Sequence, residues 1–421
     1  MYPTQLHSYL LWRSSVKPDP QSLASRRYTA TVSLLPATMV GIFVFGWWAG
    51  WIVFLSIFSA FATDLLSHRL IYRDSPGTRD GTWMLTGLLL GLMMPPPVPW
   101  FLPVIGASLA VFLGKHYLSV DGMPLLQPAA VGFLLLQLIG LAVPAMRGVE
   151  NGQPHWPVLA RGIVPTKTDP RSTTEAVGNL WKDFFGGDVR KSMTPADYRA
   201  ASFNGQPPVM NPNDPPEKQV IAEATYKPRP IDLVKANSTQ PVGREHSATP
   251  NATERYDWLD LVLGYVPATI GGSSGLALMF GILLLLFTGA ASPIVPFFAL
   301  ATMFASLHFL SWIYGNSSTA PIIAANIPVH LLTGSTILGI FYLAADPTTA
   351  PRSFLGKVYA GVAVGLIEVL LRMYTPLVEG IFLSVIIVQA SSFVIDQWLA
   401  PPVEDPRASS ASFTPSSLGR L

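Results

Sequence analysis

The sequence predicts an all-α polytopic membrane protein of about ten transmembrane helices, set as two five-helix halves around a long extracytoplasmic insert. Three observations predict it. First, 50% of the 421 residues are hydrophobic and only 12% charged, against about 25% charged in an ordinary soluble domain. Second, apolar runs of membrane-spanning length recur along the chain. Third, the basic residues are placed asymmetrically. If the N-terminus is cytoplasmic, the short cytoplasmic segments hold Arg13, Lys17, Arg26, Arg27, Arg69, Arg73, Arg79, Lys115, Arg352, Lys357, Arg407 and Arg420, while the short segments opposite hold only Arg372. The positive-inside rule then sets both termini in the cytoplasm and residues 147–257 outside, in the periplasm of a bacterial inner membrane.

The expected spans are 29–47, 49–67, 82–95, 99–115, 126–146, 273–290, 292–313, 328–345, 356–373 and 377–397. They divide the chain into a cytoplasmic segment 1–28, a first membrane half 29–146, the insert 147–257, a second half 258–398 and a cytoplasmic tail 399–421. No cleavable signal peptide is expected, because the first apolar run is too long for a signal core. Trp47, Trp48 and Trp51 suit an interfacial aromatic belt. The third span runs into Pro95-Pro96-Pro97 and the eighth ends at Asp346-Pro347. Broken spans survive only where protein or a cavity satisfies the freed backbone, so both are expected in the interior.

The insert carries 14 prolines and no spanning run. Ser172 and Glu175 stand at capping-box spacing before Ala176, Val177, Leu180, Trp181, Phe184 and Phe185, which predicts a short amphipathic helix. Thr194-Pro195 marks the start of a second. Leu85-Thr86-Gly87 in the third span and Leu332-Thr333-Gly334 in the eighth are equivalent if spans one to five repeat as six to ten, and an odd number of spans per repeat makes the halves inverted.

The chain has no Cys, which excludes disulfides, thiolate zinc sites and Cys-ligated iron–sulfur clusters within it. No NAD, P-loop or haem-attachment motif is present, nor any sign of nucleic-acid binding, and no metal site is read from the sequence. Ionisable residues inside spans are functional candidates by default. Asp64 lies near the end of the second span and is expected to reach water. His308 is expected to be neutral and hydrogen-bonded within the bundle. Glu368 and Arg372, at i and i+4, are expected to form an ion pair. Asp346, Glu379 and Glu368 are the candidates for an ion pathway, with a helix-end turn as the alternative role of Asp346.

Five stretches together resemble the large membrane subunit of the ion-pumping Rnf and Nqr complexes. They are "LTGLLLGLMMPPPVPW" (85–100), "GKHYLSVDGMPLLQPAAVGF" (114–133), "DLVLGYVPATIGGSSGLAL" (260–278), "HLLTGSTILGIFYLAADPTTAP" (330–351) and "TPLVEGIFLSVIIVQASSFVID" (375–396). The resemblance implies a redox subunit that carries or positions flavin among partner membrane and redox subunits and helps couple electron flow to Na⁺ or H⁺ movement. It also implies FMN held by a phosphoester to a Thr hydroxyl in the loop before the sixth span, with riboflavin as a possible second flavin. Thr249, with Ala248 and Ser247 before it, is the residue that fits. The family pattern's Asp falls at Gly243, its Ser/Thr at His246 and its Gly at Ser247. Two readings therefore stand: a flavin transferase accepts a degenerate site, or covalent flavin has been lost and these are turn residues. A membrane scaffold for partner electron carriers and a solute channel or transporter are the alternative functions.

Overall fold

A computed structural model describes residues 20–45, 47–72, 80–95, 98, 100–120, 123–142, 149–150, 153–154, 262, 268–314, 327–332, 335–351, 353–374 and 379–399. Nearly all of these are helical. The first span is α1 (Pro20–Ser33) and α2 (Leu35–Phe45), separated by a turn at Leu34. Pro36, two residues on, has no N–H to continue the ladder. Next come α3 (Trp47–Ser67), widening into a π-helical turn at His68–Tyr72, and α4 (Thr82–Met93). Asp80 starts α4, its carboxylate accepting from the Thr82 amide at 3.1 Å and the Thr82 hydroxyl at 2.8 Å. The helix stops where the proline run begins: Met94 is extended at φ −74° and ψ 141°, the conformation that a following proline imposes.

The chain returns as α5 (Phe101–Leu109), which continues as a π-helix over Ala110–Tyr117. A two-residue antiparallel pair, β1 (Ser119–Val120) with β2 (Met123–Pro124), leads to α6 (Pro128–Ala142). A second such pair is β3 (Val149–Glu150) with β4 (Gln153–Pro154). After the insert come α7 (Gly275–Phe287) and α8 (Ile294–Tyr314), then the broken eighth span. That span is α9 (Ile327–Leu332), then α10 (Thr336–Leu338) running into a π-helix at Gly339–Ala344. Two long helices, α11 (Phe354–Tyr374) and α12 (Gly380–Leu399), complete the described chain. Among the described residues, three helical stretches are long and apolar enough to cross a membrane: Leu23–Phe45, Trp47–Leu70 and Phe354–Arg372. The others are shorter apolar helices.

The surface carries many large apolar side chains. Trp47, Phe58, Phe287, Phe297 and Trp312 stand exposed, and Trp51, Phe54 and Phe58 stack along one face of α3 at centroid spacings of 5.4 and 6.1 Å. Water would penalise such a surface; lipid or an apolar partner subunit would not. Inside, one hydrophobic cluster runs from Leu34 to Val388 and joins both halves. The broken spans lie in it, as expected: residues 85–95 and 338–346 are buried apart from Phe341.

Glycines let these helices approach to backbone distance. A Cβ at Gly87 would stand 2.7 Å from the Ile57 Cα, where the Ser56 hydroxyl donates to the Gly87 carbonyl at 2.7 Å. On α11, Gly361 and Gly365 are spaced as a GxxxG pair against α8, and a Cβ at Gly361 would meet the Val295 carbonyl oxygen at 2.6 Å. The two amphipathic helices expected in the insert, and Thr333-Gly334 of the repeat, lie outside the described residues.

Gly87→Ala is expected to cost about 1–3 kcal/mol through overpacking against backbone that cannot yield, read as a lower thermal unfolding midpoint in detergent. Gly50→Ala, whose Cβ meets only the Ile42 side chain at 3.5 Å, is expected to leave the midpoint unchanged or raise it slightly.

Candidate functional site: a polar seam between the broken spans

Three interrupted backbones meet inside the bundle. The segment 268–274, just before α7, lies against the broken end of α4. Its Ile270 amide donates to the Met94 carbonyl at 3.0 Å and its Gly271 amide to the Leu92 carbonyl at 2.8 Å. Helix ends leave carbonyls without partners, and these two bonds satisfy that need without water. Gly271 is required there, since a Cβ would stand 2.6 Å from the Leu92 Cβ. Ser274 then caps α7 by accepting from the Ala277 amide at 3.2 Å.

The same segment reaches the break in the eighth span. Thr269 and Ser335 share a hydroxyl hydrogen bond of 2.7 Å. The Ser335 amide donates to the Glu379 carboxylate at 2.9 Å. Glu379 thus closes the break between α9 and α10 from the start of α12. Beside it lie Glu368 and Arg372, 0% and 1% exposed, paired at i and i+4 as the sequence predicts. Arg372 also donates to the His330 carbonyl at 2.7 Å and to the Thr336 hydroxyl. One guanidinium therefore ties both sides of the break to α11. Phe354 opens α11, so Glu368 lies about 21 Å farther along it.

Asp346 lies at the opposite end of the eighth span, in the turn beyond its last helical residue. Its carboxylate accepts from the Thr348 amide and hydroxyl, both at 3.0 Å, and its carbonyl from the Ala350 amide at 2.8 Å. This is the turn-forming role. Burial pushes its carboxyl above the ordinary range, against the opposing pull of Thr348 and Arg27. Gln389, midway along α12, links Leu343, Thr349 and Gln127: its amide donates to the Leu343 carbonyl at 3.1 Å and the Thr349 hydroxyl at 2.9 Å, and its oxygen accepts from the Gln127 amide at 2.8 Å.

The structure thus gathers Glu368 and Glu379 at one end of the bundle and leaves Asp346 at the other. Ser247, Ala248 and Thr249 lie outside the described residues. Two expectations change. Asp64 does not reach water; it is 0% exposed, because Lys115 and His116 swing in from the π-helical end of the fourth span to within 2.7 and 3.0 Å of its Oδ1. His308 does not sit inside the bundle. It is exposed and bonded to the Phe304 carbonyl of its own helix at 3.1 Å, on the outer face with Phe309 and Trp312. The sequence does not single out the seam residues Thr269 and Ser335, since a Thr or Ser near a span end gives no signal until the break is seen.

Apolar helices, an apolar surface and buried ion pairs define a polytopic integral membrane protein. The chain belongs to the NQR2, RnfD, RnfE family, whose sequence model matches residues 14–404. It is 26% identical over 386 residues to the D subunit of the ion-translocating oxidoreductase complex of Halorhodospira halophila, covering 91% of this chain and 92% of that one. It is 25% identical to the corresponding protein of Rhodobacter capsulatus, also named as the D subunit of such a complex, over 80% and 78% of the two chains. It is 22% identical to the D subunit of the proton-translocating ferredoxin:NAD(+) oxidoreductase complex of Clostridium ljungdahlii over 90% and 91%.

Arg372→Met is expected to strand a buried carboxylate and to cost about 3–5 kcal/mol, read as lost folded yield and a lower unfolding midpoint. Adding Glu368→Met to it is expected to recover most of that loss, because the remaining apolar pair leaves no buried charge.

Proposed function

We propose that this chain is the membrane subunit of a bacterial ion-translocating electron-transfer complex, and that the seam of Thr269, Ser335 and Glu379 forms part of its ion path. The observation that carries the proposal is the carboxylate of Glu379 set into the break of a span in a chain whose relatives are named ion-translocating. A broken span turns backbone dipoles and carbonyls toward a path that a continuous helix would keep closed. Glu368, held by Arg372, sets the local field beside it, and Asp346 lies where the path leaves the eighth span. The two five-helix halves are inverted repeats. Both termini are cytoplasmic, and the insert 147–257 is periplasmic.

In this reading Thr249 carries FMN through a phosphoester to its hydroxyl, with Ser247 and Ala248 giving the transferase access. The flavin supplies the redox chemistry, and the protein places it and tunes its potential. Riboflavin is a second candidate in the membrane part. The electron donor is handled by other subunits, since the chain has no NAD motif and no Cys. The substitutions Gly243, His246 and Ser247 in the attachment pattern favour a second reading, a non-flavinylated scaffold that docks partner carriers.

Denaturing gels of the purified chain separate the two. A flavin-fluorescent band that disappears in Thr249→Ala is the expected result; a dark band from cells that flavinylate other proteins would favour the scaffold. For the ion path, Glu379→Ala removes an acceptor whose charge-assisted bond is worth about 1.5–3 kcal/mol. Ion uptake per electron in proteoliposomes of the complex is expected to fall clearly below the parent ratio. Unchanged coupling in a folded variant would remove Glu379 from the path.

A further inference from the structure

At the end of the bundle away from the seam, α3 and the fourth span bring together Asp64, His68 and His116. Asp64 and His68 stand at i and i+4, and His116 comes from the π-helical turn that follows α5. The Asp64 Oδ1 lies 3.0 Å from the His116 Nε2 and 3.8 Å from the His68 Nε2. One ligand atom from each residue lies within 4.8 Å of the other two. The imidazole rings cross at 83° with centroids 5.2 Å apart, so their edges converge rather than stack.

We infer that Asp64, His68 and His116 form a binding site for a divalent transition-metal ion of the zinc type. A tetrahedral ion with bonds of about 2.0–2.1 Å spaces its ligand atoms about 3.3–3.4 Å apart. Two of the three spacings, 3.0 and 3.8 Å, bracket that value and the third is within 4.8 Å, so side-chain rotations complete the set. Two imidazoles and a carboxylate are borderline ligands that suit zinc over magnesium or calcium. A second observation points the same way. The Asp64 Oδ2 is fully buried and has no hydrogen-bond partner among the described residues, a costly arrangement for a carboxylate oxygen that an ion chelated by both carboxylate oxygens relieves. His68, with 18% of its side chain exposed, is the ligand on the open side of the site, from which a water would reach the ion as fourth ligand. Both histidines lie in π-helical turns, where a helix widens and functional sites often form.

Lys115 is the competitor. Its ammonium lies 2.7 Å from the Asp64 Oδ1 and 3.0 Å from the Asp80 Oδ2, with Arg27 also near Asp80 at 3.7 Å. When the ion binds, Lys115 keeps Asp80 as its partner and releases Asp64. The ion then fastens the ends of two spans that now meet through a lysine.

The test uses the full chain in lipid nanodiscs, without a polyhistidine tag and stripped by chelator. Co²⁺ is the probe, because its visible ligand-field bands report tetrahedral coordination. One equivalent is expected to give intense bands that Zn²⁺ abolishes. His68→Gln, at the open mouth where folding is least at risk, is expected to weaken binding by about 100-fold or more, since losing a direct ligand costs at least as much as losing an outer-shell partner. Lys115→Met is expected to tighten it by about tenfold or more, because the nearest competing charge is gone. Absence of tetrahedral bands, parent-like affinity in a folded His68→Gln, or unchanged or weaker affinity in a folded Lys115→Met would each overturn the proposal.

Discussion

In a medium without water, every backbone N–H and C=O must find its partner inside the protein. The whole architecture depends on how that demand is met where helices break. The third span stops at Met93 because Pro95-Pro96-Pro97 cannot continue it. Its carbonyls at Leu92 and Met94 are then taken up by the amides of Gly271 and Ile270. Those amides belong to the other membrane half, more than a hundred residues away in sequence. The eighth span is interrupted at Ser335, where the Ser335 amide goes to Glu379 and the His330 carbonyl to Arg372, while the Ser335 hydroxyl pairs with Thr269. Each interruption in one half is closed by residues of another element, so the breaks join the bundle together.

Charge in the described bundle follows the same logic. Two of the buried carboxylates are paired with a cation, whereas Asp346 is held by its own turn. Glu368 is held by Arg372 near the break, and Asp64 and Asp80 are held by Lys115 and Arg27 at the far end. A lone buried charge costs several kcal/mol, whereas a paired and hydrogen-bonded one is tolerated. These sets also fix which helices are neighbours. Lys115 can satisfy two carboxylates only if α3, the start of α4 and the end of the fourth span converge at one corner.

Much of this was legible in the sequence because apolar run length, proline and charge act locally. The run ending at Pro95-Pro96-Pro97 sets both the length of α4 and its burial. The i, i+4 spacing of Glu368 and Arg372 predicts their pairing without knowledge of any neighbour. Contacts made across the fold were not legible. The fate of Asp64 depends on Lys115 and His116, some fifty residues away, and on a π-helical turn that no periodicity announces. His308 reads as an interior polar group because its helix is apolar all round, so hydropathy cannot tell its buried face from its exposed one. Gly361 and Gly365 have the spacing of a close-packing pair, but only the structure names α8 as the helix they admit.

The bonds from Ile270 and Gly271 to Met94 and Leu92 also constrain how this protein can move. They are short backbone pairings between the two halves, surrounded by Ile270, Leu92 and Met94 side chains that are 0% exposed. Rocking one half against the other would pull both pairs apart with no water to replace them, at about several kcal/mol for each orphaned group. The halves are therefore stitched together at the broken end of α4. Relative motion of the two halves has to hinge around this stitch rather than slide one half past the other.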